Sequence, residues 1–360
     1  MAEVIDCAAD SRRLRKLHGL KMADLRTSVT TLIEDGENPL LRHPLGAAFE
    51  GTEINCVSFG YKRQAPLSLC RYDDVSLVGN GQMFTLFRGN EIDQESTALF
   101  LGFPDLTPEG ITHIETGAYC DDRFRPGNPC HFMVDRLPRV TFYTALAGLA
   151  QKDCVMFGEM PPYAAYVQRH CAPDVTILAE NRHYHFRTLY LFNTCANPQG
   201  HPFFYMNQMA RDAVIPAVTT DLPAGPKGRR IYMSRFATER RRLLNERALA
   251  DRLAARGFEI LEMSALAPEA QLAAVREAEC IVAPHGAALA SVVAATPGTK
   301  VVELFNPLKG TAVYGGMAGA VGAPYTPVFG TPVADAKKPF SWTVDIDAVL
   351  AAIDGPATLG

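Results

Sequence analysis

From Arg229 onward the apolar positions come in short unbroken runs separated by longer amphipathic stretches. IYMS (231–234) predicts a strand, Glu239–Arg256 a charged helix, GFEIL (257–261) a strand and Pro268–Ala278 a helix. CIVA (280–283) then predicts a strand, Gly286–Ala295 a helix and KVVELF (300–305) another strand. Unbroken apolar strands that alternate with helices predict βαβ units and a parallel sheet covered on both faces. This half reads as Rossmann-like.

The first half has a weaker pattern. VSLVGNGQMFTLF (75–87) predicts a hairpin turning at Gly79-Asn80-Gly81, and residues 128–150 a helical region. DCVMFG (153–158) and DVTILAE (174–180) flank a short helix, again the βαβ pattern. The proline- and glycine-rich segment Pro216–Gly228 is the expected interdomain linker, which makes 1–215 an N-terminal domain and 229–335 a C-terminal one. A tail over 336–360 carries a last helix near Asp345–Ile353 that could pack on either half. Two domains also suit the length, because 360 residues exceed what one core usually organises.

Composition narrows the class. With 48% hydrophobic and 21% charged residues the chain reads as ordinary and globular, and a net charge of -4 supplies no global basic field for nucleic acid. The start, MAEVIDCAADSRRLRK, lacks the apolar block of a secretory signal, and the longest weakly apolar stretch, 281–295, is too short to span a bilayer. A cytoplasmic location is expected. Nine cysteines form no CxxC pair, so reduced thiols are expected and a structural zinc is not.

The chemistry gathers where CIVA runs into Pro284-His285-Gly286-Ala287-Ala288. In an open parallel sheet, ligands bind at the carboxyl ends of strands. Free N–H groups of Gly286, Ala287 and Ala288 at a helix start would attract an anion, and His285 adds a donor. A tight turn with a structural histidine is the alternative. Arg235 follows IYMS at the same edge, and Glu303 ends KVVELF, where a carboxylate can accept both hydroxyls of a ribose. Arg241, within Glu239-Arg240-Arg241-Arg242, and Lys309 are further cations, and arginine's planar fork suits phosphate oxygens. Asp73-Asp74 and Asp121-Asp122 read as loop carboxylates rather than a metal cradle, so neither a metal nor another cofactor is expected.

Ser234-Arg235, Arg241-x-x-x-Asn245-Glu246, GFEI, Gln271, PHGAALA (284–290) and PGTKVVEL (297–304), taken in order, resemble the family 61 glycosyltransferases. So does Asn128-Pro129-Cys130-His131-Phe132-Met133-Val134-Asp135-Arg136-Leu137-Pro138-Arg139, with Phe132 where the family usually has tryptophan. The resemblance implies a GT-B architecture, two Rossmann-like domains facing across a cleft. The C-terminal domain would hold a nucleotide sugar, UDP-linked in the expected case, through Arg235, Arg241, Asn245, His285, Gly286, Ala287 and Glu303. It also implies inverting transfer of a hexosyl or pentosyl group to a glycan or other hydroxyl, with bacterial relatives in capsule or exopolysaccharide synthesis. That role leaves room for peripheral association with a membrane polysaccharide assembly.

Inverting transfer needs a base for the acceptor hydroxyl and charge stabilisation for the departing diphosphate. Asn128 and Pro129 would start a helix with His131 and Asp135 four apart on one face, a helix that Pro138 ends or kinks. Either is the base, or Asp135 orients His131; a purely structural pair is the alternative. An epimerase on the same fold, or a non-catalytic nucleotide- or sugar-binding scaffold, remains open from the sequence.

Overall fold

The computed structural model describes residues 21–33, 67–79, 84–93, 110–120, 132–158, 162–180, 182–192, 222, 228–238, 241–306, 310, 313–333 and 340–356. They fall into two compact units, one lying mostly within Gln64–Ala164 and Ala172–Pro202 and the other mostly within Phe203–Gly360. The described residues are α/β, with one mixed sheet, one parallel sheet and a two-stranded antiparallel ladder.

The first unit is a nine-stranded sheet. Its strands are β1 (Lys21–Ala23), β2 (Ser28–Ile33), β3 (Leu67–Gly79), β4 (Phe84–Arg88), β5 (Glu91–Asp93), β6 (Ile111–Tyr119), β7 (Cys154–Phe157), β8 (Thr176–Leu178) and β9 (His183–Phe192). Their order is β1-β5-β4-β3-β9-β6-β7-β8, with β2 also on β3. The hairpin expected over 75–87 is present, with Ser76 opposite Phe87 and Gly79 opposite Phe84. The β7–β8 pair is parallel, and helix α1 (Leu137–Ala145) precedes β7 while α2 (Pro162–Cys171) leads from β7 to β8. What local pattern could not show is β9, which lies between β3 and β6, antiparallel to the first and parallel to the second. Tyr72, Val75, Leu77, Phe84, Leu86, Tyr119, Phe157 and Phe186 form the core on this sheet.

The helical region expected over 128–150 is a π-helical turn, Phe132–Arg136, running into α1. Pro138 does not end that helix; it stands in the first turn of α1, where its missing N–H costs no hydrogen bond.

The second unit holds the parallel sheet: β10 (Arg229–Met233), β11 (Phe258–Leu261), β12 (Ala278–Pro284), β13 (Lys300–Phe305) and β14 (Tyr325–Phe329), in the order β11-β10-β12-β13-β14. A two-stranded ladder, β15 (Thr331–Pro332) with β16 (Trp342–Thr343), lies beyond it. The helices are α3 (Glu246–Ala254), α4 (Pro268–Arg276), α5 (Val313–Ala320) and α6 (Ile346–Asp354). On one face of the sheet Tyr232, Val282, Val302 and Leu304 pack with Leu249 and Leu253 of α3 and with Val349, Leu350 and Ile353 of α6. The last helix therefore belongs to this unit, and Asp345 caps it by accepting from the N–H groups of Asp347 and Ala348.

Two helices differ from expectation. The charged helix starts at Glu246 rather than Glu239, since Arg241 has φ 55, a left-handed conformation outside any right-handed helix. The segment after β12 is a 3₁₀ helix, Ala287–Ala294, not an α-helix. Side chains three apart eclipse in that geometry, and every such pair here except Leu289 and Val292 contains an alanine or serine. Among the described residues no helix is long and apolar enough to cross a membrane.

Candidate functional site

The sheet of the second unit reads 2-1-3-4-5 in its own strand order. Chain direction reverses its progress across the sheet between β10 and β12, and ligands of open α/β sheets bind outside the carboxyl ends of such a strand pair. The residues that leave those ends are Ser234-Arg235 after β10 and His285-Gly286 after β12.

They are tied together directly. Arg235 Nη1 donates to the carbonyl oxygen of His285. The Arg235 backbone N–H donates to Glu246 Oε1 at 2.6 Å, and the same oxygen accepts from the Tyr232 hydroxyl at 3.1 Å. Burial raises the Glu246 carboxyl above its ordinary value, these hydrogen bonds opposing it. Arg235 is held below its ordinary value, first by burial and then by the neighbouring charge of Arg241. Two guanidinium groups thus bias the same edge towards a negative ligand. The Arg241 carbonyl accepts the Trp342 indole N–H at 3.1 Å, which anchors its left-handed backbone.

At Gly286 the absence of a side chain leaves room for the Arg235 guanidinium. A Cβ there would lie 2.6 Å from Arg235 Nη1. The first bond of the 3₁₀ helix runs from Leu289 N–H to Gly286 C=O at 3.0 Å, so the N–H groups before Leu289 stand outside the helix's own ladder. Ala287 and Ala288, both partly exposed, carry two of them on side chains too small to block a ligand.

His285 is held from beneath. Its Nδ1 lies 2.6 Å from Glu303 Oε1, its ring stacks on Phe305 at 5.3 Å, and Tyr314 closes at 5.3 Å. Glu303 is fully buried, and its second oxygen accepts the Tyr325 hydroxyl at 2.7 Å. Burial pushes its carboxyl up, against the bonds from His285 and Tyr325. Glu303, expected to accept the hydroxyls of a ribose, has both oxygens engaged inside the unit, by His285 and Tyr325.

Asn245, expected to bind the donor, is tied to the backbone just before α6. Its Nδ2 donates to Val344 O at 2.7 Å and its Oδ1 accepts from Val344 N at 3.2 Å, a two-point clamp that fixes the approach to α6. Of the expected base pair, His131 lies outside the described residues, and Asp135 lies in the π-helical turn rather than on an α-helical face. Lys309 and Asp121-Asp122 also lie outside the described residues. Asp73-Asp74, expected in a loop, stands in β3, with Asp73 paired to Arg71 at 2.9 Å. Among the described residues no group of three or more His, Cys, Asp or Glu is placed to hold a metal ion.

Reasoning from the sequence missed Glu246, Tyr314 and Tyr325 as parts of the site. Glu246 follows Asn245 inside a motif already singled out, and Tyr325 opens YTPVF, an apolar run that belongs with the βα alternation.

Arginines, a histidine and a small-residue helix start thus stand together at the switch point of an α/β unit. Residues 130–302 match the family model Glycosyltransferase 61, a little under half of the chain. The match takes in Asp135, Arg235, Arg241, His285 and Gly286 and supports glycosyltransferase activity in general. No curated protein matches the chain.

Proposed function

We propose that the protein is an inverting glycosyltransferase that moves a hexosyl or pentosyl group from a UDP-sugar to a glycan or other hydroxyl acceptor, in capsule or exopolysaccharide synthesis in the cytoplasm. The observation that carries this reading is the meeting of Arg235, Arg241 and His285 at the switch point of a parallel sheet, inside the region matched to the family. The proposed architecture is GT-B, with the donor on 229–335, the acceptor on 1–215, a linker over 216–228 and a tail over 336–360.

In this reading the acceptor oxygen attacks the anomeric carbon as the bond to the diphosphate breaks. Asp135, with His131, takes the acceptor's proton, and UDP leaves against Arg235, Arg241, His285 and the N–H groups of Gly286 and Ala287. Arginines and a helix start stabilise the leaving charge without a metal.

Thermal melting in the presence of nucleoside diphosphates and nucleotide sugars tests it. A ligand at one hundred times its dissociation constant stabilises the fold by about 2.7 kcal/mol, enough to raise the midpoint by several degrees. UDP should do so, and free UDP should be released from UDP-sugar only when an acceptor is present. A melting point that no nucleotide moves would overturn the proposal.

A further inference from the structure

The support under His285 is more than a structural histidine requires. Glu303 lies fully buried on β13, where an ionised carboxylate is costly unless donors meet its oxygens. Both are met, at 2.6 Å by His285 Nδ1 and at 2.7 Å by the Tyr325 hydroxyl. When Glu303 is ionised it only accepts, and the proton of the first bond then belongs to Nδ1. The ring is also held by Phe305 and Tyr314, and its backbone N–H by Leu304 C=O at 2.8 Å. That leaves Nε2, which has no partner among the described residues, as the ring atom offered to a ligand.

Among the described residues, the titratable and charged groups around this ring are Glu303 on β13, Tyr325 on β14, Tyr314 on α5, and Arg235 beyond β10 with Arg241 adding to its field. A third cation beside two guanidiniums is unfavourable unless a negative charge lies close by. Glu303 in its ionised form supplies one, and a diphosphate would bring more. We propose that Glu303 and Tyr325 are positioning residues that keep His285 ready to take a second proton. Nε2–H then donates to a phosphate oxygen of the nucleoside diphosphate while Nδ1–H remains on Glu303. The inference rests on the nucleotide reading above. The proton comes from solvent when the nucleotide binds and returns to it on release. A carboxylate behind an imidazole has this orienting and charge-stabilising effect in general.

Calorimetric titration of UDP into the full chain tests it, at slightly alkaline pH where histidine is ordinarily neutral, in two buffers of different ionisation heat. The difference counts protons taken up per nucleotide. The wild-type chain should take up close to one. Glu303→Gln keeps an accepting oxygen but not the charge, so its uptake should vanish and UDP should bind roughly tenfold more weakly. Tyr325→Phe should weaken UDP less and keep part of the uptake. Nitrogen-15 spectra of the His285 ring give a second readout: Nδ1 protonated in the free protein, both nitrogens in the UDP complex. UDP bound without proton uptake, or with the same uptake in Glu303→Gln, overturns the inference and leaves the nucleotide reading standing. Failure of the wild-type chain to bind UDP overturns that reading and the inference with it. Should Glu303→Gln not fold, an unprotonated Nε2 in the wild-type complex is the overturning result.

Discussion

Gly286→Ala separates the ligand site from the fold. Gly286 has φ 172 and ψ 172, extended backbone that alanine adopts freely, so only crowding opposes the change. The new Cβ would lie 2.6 Å from Arg235 Nη1 and 3.2 Å from its Cζ. The guanidinium ends a flexible stem and can swing away, at the cost of its bond to the His285 carbonyl. That bond is worth about 1.5–3 kcal/mol at most, a fall in melting temperature of some degrees. For a nucleotide the consequence is loss of Arg235, and a charge-assisted contact of about 1.5–3 kcal/mol weakens binding roughly 10- to 150-fold. Calorimetric titration of UDP into wild type, Gly286→Ala, Arg235→Ala and the double variant measures it. Both substitutions act through one guanidinium, so the double variant should bind no more weakly than the worse single one. Wild-type affinity in Gly286→Ala, or full additivity in the double variant, would refute the argument.

Asn245→Ala should lose about 1–3 kcal/mol with the Val344 clamp, lowering the melting temperature while calorimetry finds UDP affinity unchanged. Glu303 has a pH signature: a carboxyl raised by folding stabilises below its ordinary 4.5, and the contribution is lost as pH rises through the raised value. The melting temperature of the wild type minus that of Glu303→Gln should therefore fall as pH climbs above 4.5, and a difference that grows would contradict the burial argument. Asp135→Asn should lower turnover by about 10²- to 10⁴-fold with UDP affinity unchanged. A fully active Asp135→Asn beside an inactive His131→Ala would give the base role to the histidine.

Local periodicity was enough for much of the second unit because β10, β12 and β13 are short, mostly buried runs in alternation with helices. β10 to β13, α3, α4 and α6 all lie where the apolar pattern puts them, give or take their ends. The first unit was less legible because its sheet depends on partners far apart in sequence: Leu69 pairs with Phe192 and Ile111 with His183. No window of local pattern holds such pairs. At the site, Arg235 and His285-Gly286 were legible through their place at strand ends, which the parallel fold turns into a shared edge. For Glu303 and Asn245 neither spacing nor motif says which way the side chain turns. Both turn inward, Glu303 to His285 and Tyr325 and Asn245 to Val344. The left-handed Arg241, which shortens α3, has no sequence signature, since non-glycine residues rarely adopt that conformation.

Whether the carboxyl edge of β10 and β12 holds a nucleoside diphosphate is read from a crystal structure of the chain with UDP. The diphosphate should lie within hydrogen-bonding distance of the Arg235 guanidinium, His285 Nε2 and the N–H groups of Gly286 and Ala287, with Glu303 still buried beneath His285. UDP bound at any other edge of the molecule, with Arg235 and His285 untouched, would contradict it.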